Sequence, residues 1–306
     1  MTEAPTGDSR APRDAATLVL LRRGGRGAEA LLVQRAQGQP FAAGHWAFPG
    51  GSTDRQDAST ALQDRSSAPP AALLAALRQN SGGACLSDTQ ARALLIAACR
   101  ETFEECGILL ARTRDGRPCT AGQAGALQEL RLQAPDAPPP LAQLLEAYGL
   151  TLAVDELVYW SNWITPPASA RRFDTRFFVS ALPEGQQLAV QSAEVQATRW
   201  LALEDCQQLA LPEATPPTTL TLRELAAHHE RHGSVSGLLA AARTLAPMTI
   251  MAKVVRHEHG LEGLMPWDAD YAGAPGEGVP CSPTVRERLG GFPSRVRLAT
   301  PEGARR

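Results

Sequence analysis

Residues Arg100 to Ile108 read RETFEECGI, three glutamates behind one arginine within nine positions. Placed on a helix, Glu101, Glu104 and Glu105 fall at i, i+3 and i+4, so three carboxylates leave one face together. Like charges at that spacing destabilise an isolated helix by roughly 0.2–0.5 kcal/mol per pair. Arg100 offsets part of this through its i, i+4 neighbour Glu104. For three acids alone, a solvated helix face is the common outcome. The alternative is a bound divalent cation, and an all-oxygen donor set favours hard ions such as Mg²⁺, Mn²⁺ or Ca²⁺.

Working outward, the helix begins at Ser87, where Ser87-Asp88-Thr89-Gln90 has the capping-box form. Ala93, Leu94, Ala97, Ala98 and Phe103 lay an apolar stripe along it, and Gly107 closes it. Upstream, Ala16 to Leu21 and Ala28 to Gln34 read as a β-hairpin, followed by HWAFPGG, where Pro49, Gly50 and Gly51 break regular structure. Ser52 to Leu86 is a polar insert with one short helix at Pro70 to Gln79, and Arg112 to Pro140 is a second irregular stretch. A short helix follows at Leu141 to Tyr148. Downstream, strands are expected at Leu157 to Ile164, Asp174 to Ala181, Val195 to Leu201 and Met248 to His257. Helices are expected at Thr219 to His229 and Val235 to Leu245. This order suits an α/β fold (α+β in some schemes), a mixed sheet covered by helices on both faces.

Phe48-Pro49-Gly50-Gly51 before the helix, and Arg-Glu-x-x-Glu-Glu-x-Gly-Ile on it, resemble the signature of the Nudix hydrolases. In the common signature the arginine follows the second glycine by 14 positions, with another Glu between them. Here Arg100 lies 49 positions after Gly51, so about 35 extra residues interrupt the loop, and counting back from Arg100 places Arg92 where that Glu should stand. An interrupted box of this kind is similar to that of the coenzyme A diphosphatases of animal peroxisomes. Arg35, Ala36, Gly44 and Phe48 to Gly51 match the coenzyme A-binding pattern of that subgroup, while Pro40 stands where many members carry Arg. The segments WITPPASARRFDTRFF, AEVQATRWL and GLMPWDADY are also similar to it.

The resemblance implies a Nudix fold, a mixed β-sheet sandwiched between helices with loop insertions, over residues 15–271. The insert 52–86 falls inside the box region and is expected to be peripheral to the metal chemistry. A disordered lead (1–14) and a Gly/Pro-rich extension (272–306) flank the domain. It also implies a metal-dependent cut of the diphosphate bond of coenzyme A or an acyl-coenzyme A. ADP-ribose, another nucleotide-sugar conjugate, or a non-catalytic binding module remain the alternatives. Glu101, Glu104 and Glu105 would be the metal ligands, with Glu104 and Arg100 in the catalytic set and Glu194 as general base. Arg35, Arg171 and Arg172 would bind substrate phosphates, where Gly50 and Gly51 let the backbone approach.

Bulk properties agree. A formal charge of −2 provides no basic field for nucleic acid, so a small nucleotide conjugate is the expected partner. Six cysteines without a Cys-x-x-Cys pair suit a reducing compartment, and neither a signal-like nor a membrane-length apolar run is present. The cytoplasm is therefore the expected location, and the oligomeric state is open. His228, His229 and His232 superficially suggest zinc, but HHERH reads as a polar helix end.

Overall fold

The computed structural model describes residues 2–3, 11–38, 42–79, 85–134, 139–190, 192–208, 214–257 and 260–298. In chain order, the first half runs β1 (Thr2–Glu3), β2 (Arg13–Gly24), β3 (Gly27–Arg35), β4 (Trp46–Ala47) and β5 (Gly50–Ser52). It continues through α1 (Thr60–Asp64), α2 (Ala71–Gln79), α3 (Asp88–Cys106), β6 (Ala111–Thr113), α4 (Ala121–Leu132) and α5 (Leu141–Ala147). The second half runs β7 (Leu150–Leu152), β8 (Val158–Ile164), β9 (Phe173–Ala181), β10 (Val195–Ala202), α6 (Pro216–His232) and α7 (Val235–Ala242). It closes with β11 (Met248–Ile250), β12 (Lys253–His257), β13 (Gly260–Leu264), α8 (Pro283–Leu289) and β14 (Arg295–Leu298).

The main sheet has the order β10-β3-β2-β9-β8-β11, with β4 pairing β3 and β5 pairing β2. β2 runs parallel to β9, and β8 to β11; the other pairs are antiparallel. Alternation along β2 builds two cores, as the period of a strand dictates. Ala16, Leu18 and Leu20 pack with Leu94, Ala97 and Phe103 of α3. Val19 and Leu21 pack on the other face with Leu222 and Leu225 of α6 and Val285 of α8. The sheet is thus sandwiched between helices, as the sequence leads one to expect. Among the described residues, no helix is long and apolar enough to cross a membrane.

Four segments depart from the sequence reading. Thr2–Glu3 pairs with β12, and Arg13 and Asp14 already belong to β2 because they pair in parallel with Phe173 and Asp174. The run Met248 to His257 splits: β11 extends the main sheet, while β12 joins a second sheet of order β1-β12-β13-β14. Within the stretch read as irregular, Thr120 and Gln123 form a capping box that starts α4. The Gly/Pro-rich extension contributes α8 and β14, with Val285 and Leu289 buried in the second core. Pro40 lies outside the described residues.

Candidate active site

The box helix α3 is held at both ends. Ser87 and Gln90 cap each other's backbone at its start, and Gly107 ends it in the left-handed region at φ 70°. Any side chain at Gly107 would also meet Ala189 Cβ at 2.8 Å. With Leu94, Ala97 and Phe103 turned into the core, the glutamates face the loop that carries β5. That loop touches them through its backbone. Gly50 N donates to Glu105 Oε2 at 3.2 Å. A Cβ on Gly51 would stand 2.6 Å from the Glu101 carboxylate, so a side chain there would push that carboxylate aside.

Arg100 has no donor left for a substrate. Its Nε and Nη2 donate to the two oxygens of Asp57 at 2.8 and 3.0 Å. Nη1 donates to Glu101 at 2.9 Å and Glu104 at 3.1 Å, and Nη2 to Ser52 O at 3.1 Å. These five bonds use all five N–H groups of the guanidinium. Burial works against its charge, but Asp57 and Glu101 outweigh that and hold its pKa above the ordinary arginine value. Arg100 therefore positions the carboxylates.

Asp57 is the residue that sequence reasoning missed. It is fully buried, and its Oδ2 also accepts from Asp54 N at 2.7 Å, closing a small capping box. It lies six positions after Gly51, the distance at which the common signature places its extra Glu; counting back from Arg100 instead lands on Arg92. Arg92 does something else: it donates to Gln63 O at 2.9 Å and Ser66 Oγ at 3.2 Å, pinning α1 to α3. The first residues of the insert thus reach the box helix through Asp57, which departs from the expectation that the insert is peripheral.

The carboxylates are in tension. Burial, and then Glu101, push the Glu105 carboxyl up to about 8, against the Gly50 amide and the Arg35 charge. Burial also raises Glu101, although Arg100 opposes it. Two neighbouring carboxyls both pushed up by burial, one of them raised further by the other, fit a divalent cation, whose charge would remove the conflict. Glu104 faces elsewhere, between Arg100 at 3.1 Å and Arg131 at 3.9 Å. Among the described residues, no three His, Cys, Asp or Glu side chains converge closely enough to hold a metal in this arrangement.

Other expected residues are placed as follows. Arg35 and Glu194 both lie within electrostatic reach of Glu105, and Ala36 N donates to Glu194 O at 2.9 Å, drawing the two segments together. Arg171 is exposed. Arg172 donates to Thr165 O at 3.0 Å and pairs with Glu277 at 3.6 Å, so its guanidinium ties a loop to the C-terminal region. Asp174 pairs with Arg176. His228 is buried against Trp160, ring centroids 5.3 Å apart, because it lies on the inner face of α6 and not on a solvated end.

A family model described as the NUDT19 Nudix domain matches residues 12–214. The acyl-coenzyme A diphosphatase NUDT19 of Gallus gallus is 31% identical over 182 residues, covering 50% of this chain and 48% of that protein. That of Homo sapiens is 29% identical over 224 residues, covering 64% and 60%. The chain therefore matches less than two thirds of the length of these relatives. Among solved structures, a NUDIX hydrolase from Alicyclobacillus acidocaldarius is 31% identical with a TM-score of 0.54, covering 72% of this chain and 93% of that one.

Proposed function

This chain belongs to the family of the NUDT19 Nudix domain, and from that premise we propose that it is a metal-dependent hydrolase of the diphosphate bond in coenzyme A or an acyl-coenzyme A. The observation that carries this reading is the pair of half-buried Glu101 and buried Glu105, packed on the Gly50–Gly51 backbone with the Glu105 carboxyl pushed up to about 8. Such a pair is costly to bury unless a cation joins it. The relatives named as acyl-coenzyme A diphosphatases supply the substrate class.

Glu101 and Glu105 would hold the cation, with Glu104 turning from Arg131 to complete the set. When bound, Mg²⁺ or Mn²⁺ supplies charge neutralisation of the diphosphate and an acidified water. The chain's own part is positional. Arg100, fixed by Asp57, keeps Glu101 and Glu104 in place. Arg35 offers a cation to a substrate phosphate beside Glu105. Glu194 takes a proton from the attacking water, its charge being felt by Glu105 at the same centre. Arg171, exposed in its loop, is free to approach the far end of a long conjugate, whereas Arg172 would have to leave Thr165 O to do so. We place the protein in a reducing compartment, the cytoplasm, because all six cysteines are free thiols.

The test is a screen of purified protein with Mg²⁺ or Mn²⁺ against coenzyme A, acyl-coenzyme A, ADP-ribose and NADH, with product identification. Phosphopantetheine or its acyl form is the expected product. Faster turnover of ADP-ribose would move the substrate class, and no metal-dependent turnover of any conjugate would leave a binding module.

A further inference from the structure

Every donor of Arg100 is committed, whereas a second arginine beside the box keeps donors in reserve. Arg131 lies on α4, and its Nε stands 3.9 Å from Glu104 Oε1, beyond hydrogen-bond distance. That Nε is buried and has no hydrogen-bond partner among the described residues. The two side chains are 23% and 27% exposed, so part of each reaches solvent beside the contact. One turn earlier on the same helix face is Gln128. It is 2% exposed, and neither atom of its amide is hydrogen-bonded among the described residues.

A buried amide and a guanidinium nitrogen left without partners on one helix face are uncommon in a native protein. Fraying does not account for them. The start of α4 is capped reciprocally by Thr120 and Gln123, and Ala124 and Leu127 anchor it in the first core. The polar groups are therefore held in place by a packed helix, with Arg131 next to the second glutamate of the box. A planar guanidinium with unused donors matches two oxygens of a phosphate group.

We propose that Arg131 is a substrate-contacting residue that binds a phosphate of the diphosphate beside Glu104, with Gln128 behind it as a positioning residue. This rests on the diphosphatase reading given above. Without substrate, Glu104 keeps the guanidinium near the box through a loose ion pair. A diphosphate, with more charge and two oxygens for the fork, replaces that contact by hydrogen bonds.

The test is calorimetric titration of wild type, Arg131→Gln and Arg131→Lys with α,β-methylene-ADP, a non-hydrolysable diphosphate, in Mn²⁺, and with Mn²⁺ alone. Arg131→Gln should weaken the diphosphate probe roughly ten- to a hundredfold, the weight of a charge-assisted contact, and leave Mn²⁺ affinity essentially unchanged. Arg131→Lys should recover part of the loss. Equal probe affinity in folded Arg131→Gln overturns the proposal. So does a parallel loss of Mn²⁺ affinity, which would make Arg131 a counter-ion acting through Glu104, or a wild type that does not bind the probe. Should Arg131→Gln fail to fold, Gln128→Leu carries the test. Its melting temperature should equal or exceed wild type, since an unpartnered amide is removed, while probe affinity falls several-fold; unchanged affinity overturns the proposal. A wild type that binds the probe but hydrolyses no diphosphate conjugate would sink the catalytic reading and leave the Arg131 site standing.

Discussion

Arg100 Nε and Nη2 grip both oxygens of Asp57 at 2.8 and 3.0 Å across 43 positions of sequence. Both side chains are out of solvent, at 5% and 0% exposure. A planar fork on a planar carboxylate is the strongest common ion-pair geometry, and here it joins the insert to the box helix.

Breaking this clamp from the acid side should be costly. Asp57→Ala leaves a buried guanidinium short of two partners, and removal of one member of a buried pair costs about 3–5 kcal/mol. Urea denaturation should show the loss as a lower midpoint with little change in slope. Turnover should fall as well, because Arg100 then no longer fixes Glu101 and Glu104. A stability within about 1 kcal/mol of wild type, the range of an exposed pair, would show that the clamp contributes little.

Glu105 gives the metal-free protein a pH dependence. In an unfolded chain its carboxyl ionises near 4.3; in the fold, burial and then Glu101 push it up to about 8. Between those values the native state keeps a proton that the unfolded state has released, so stability falls as pH rises. The contribution is fully present below about pH 4 and is lost through about pH 8, at a slope of about 1.4 kcal/mol per pH unit. Denaturant titrations at pH 5.5 and 8 in the presence of a chelator measure it. Glu105→Gln should flatten the slope, lower turnover by on the order of a hundredfold or more, and remove the stabilisation by Mn²⁺ expected of wild type at pH 8. An unaltered slope in the variant would assign the effect to another group.

His228 titrates the opposite way. Burial, and then Arg288, hold its imidazole down to about 4, while the unfolded residue titrates near 6.5. Its neutral form is favoured in the fold, so this contribution is present above about pH 6.5 and is lost as pH falls through 4. His228→Phe keeps an aromatic ring against Trp160 and should reduce the acid sensitivity of the melting temperature between pH 6.5 and 4. The same acid sensitivity in the variant would rule His228 out as its source.

Local signals explain which parts were legible beforehand. The hairpin of β2 and β3 and the helix α3 announce themselves by period, and α3 also by Ser87, Gln90 and Gly107 at its ends. The glutamate face follows from i, i+3, i+4 spacing alone. Asp57 was hidden because the interrupted spacing can be counted from either side, and only the fold brings the forward count to Arg100. Arg131 was hidden because the stretch from Arg112 to Pro140 reads as irregular, although Thr120 and Gln123 carry a capping signal. The end of the chain was hidden by composition: Gly and Pro dominate it, while Ser282 and Pro283 start a short helix there in the usual way. Whether such a helix packs depends on distant partners, which a local pattern does not contain.

Arg288 on that short helix is the clearest case of a distant partner, and it yields the last expected outcome. Its Nε donates to Glu224 Oε1 at 2.6 Å, and Trp160 Nε1 donates to Glu224 Oε2 at 2.8 Å. The guanidinium also lies 4.7 Å over the Trp160 ring, and Nη1 reaches Ala246 O at 2.8 Å. Burial raises the Glu224 carboxyl, and Arg288 is what opposes the rise. Arg288→Met should therefore cost about 3–5 kcal/mol near neutral pH, because it strands a buried carboxylate. Lower pH should reduce that cost, since Glu224 can then take a proton. The double variant Arg288→Met with Glu224→Leu removes both charges and should be more stable than Arg288→Met alone, a non-additivity that a double-mutant cycle in urea reads directly. Additive losses, or a cost that does not shrink in acid, would show that α8 is held by its buried Val285 and Leu289 and not by the ion pair.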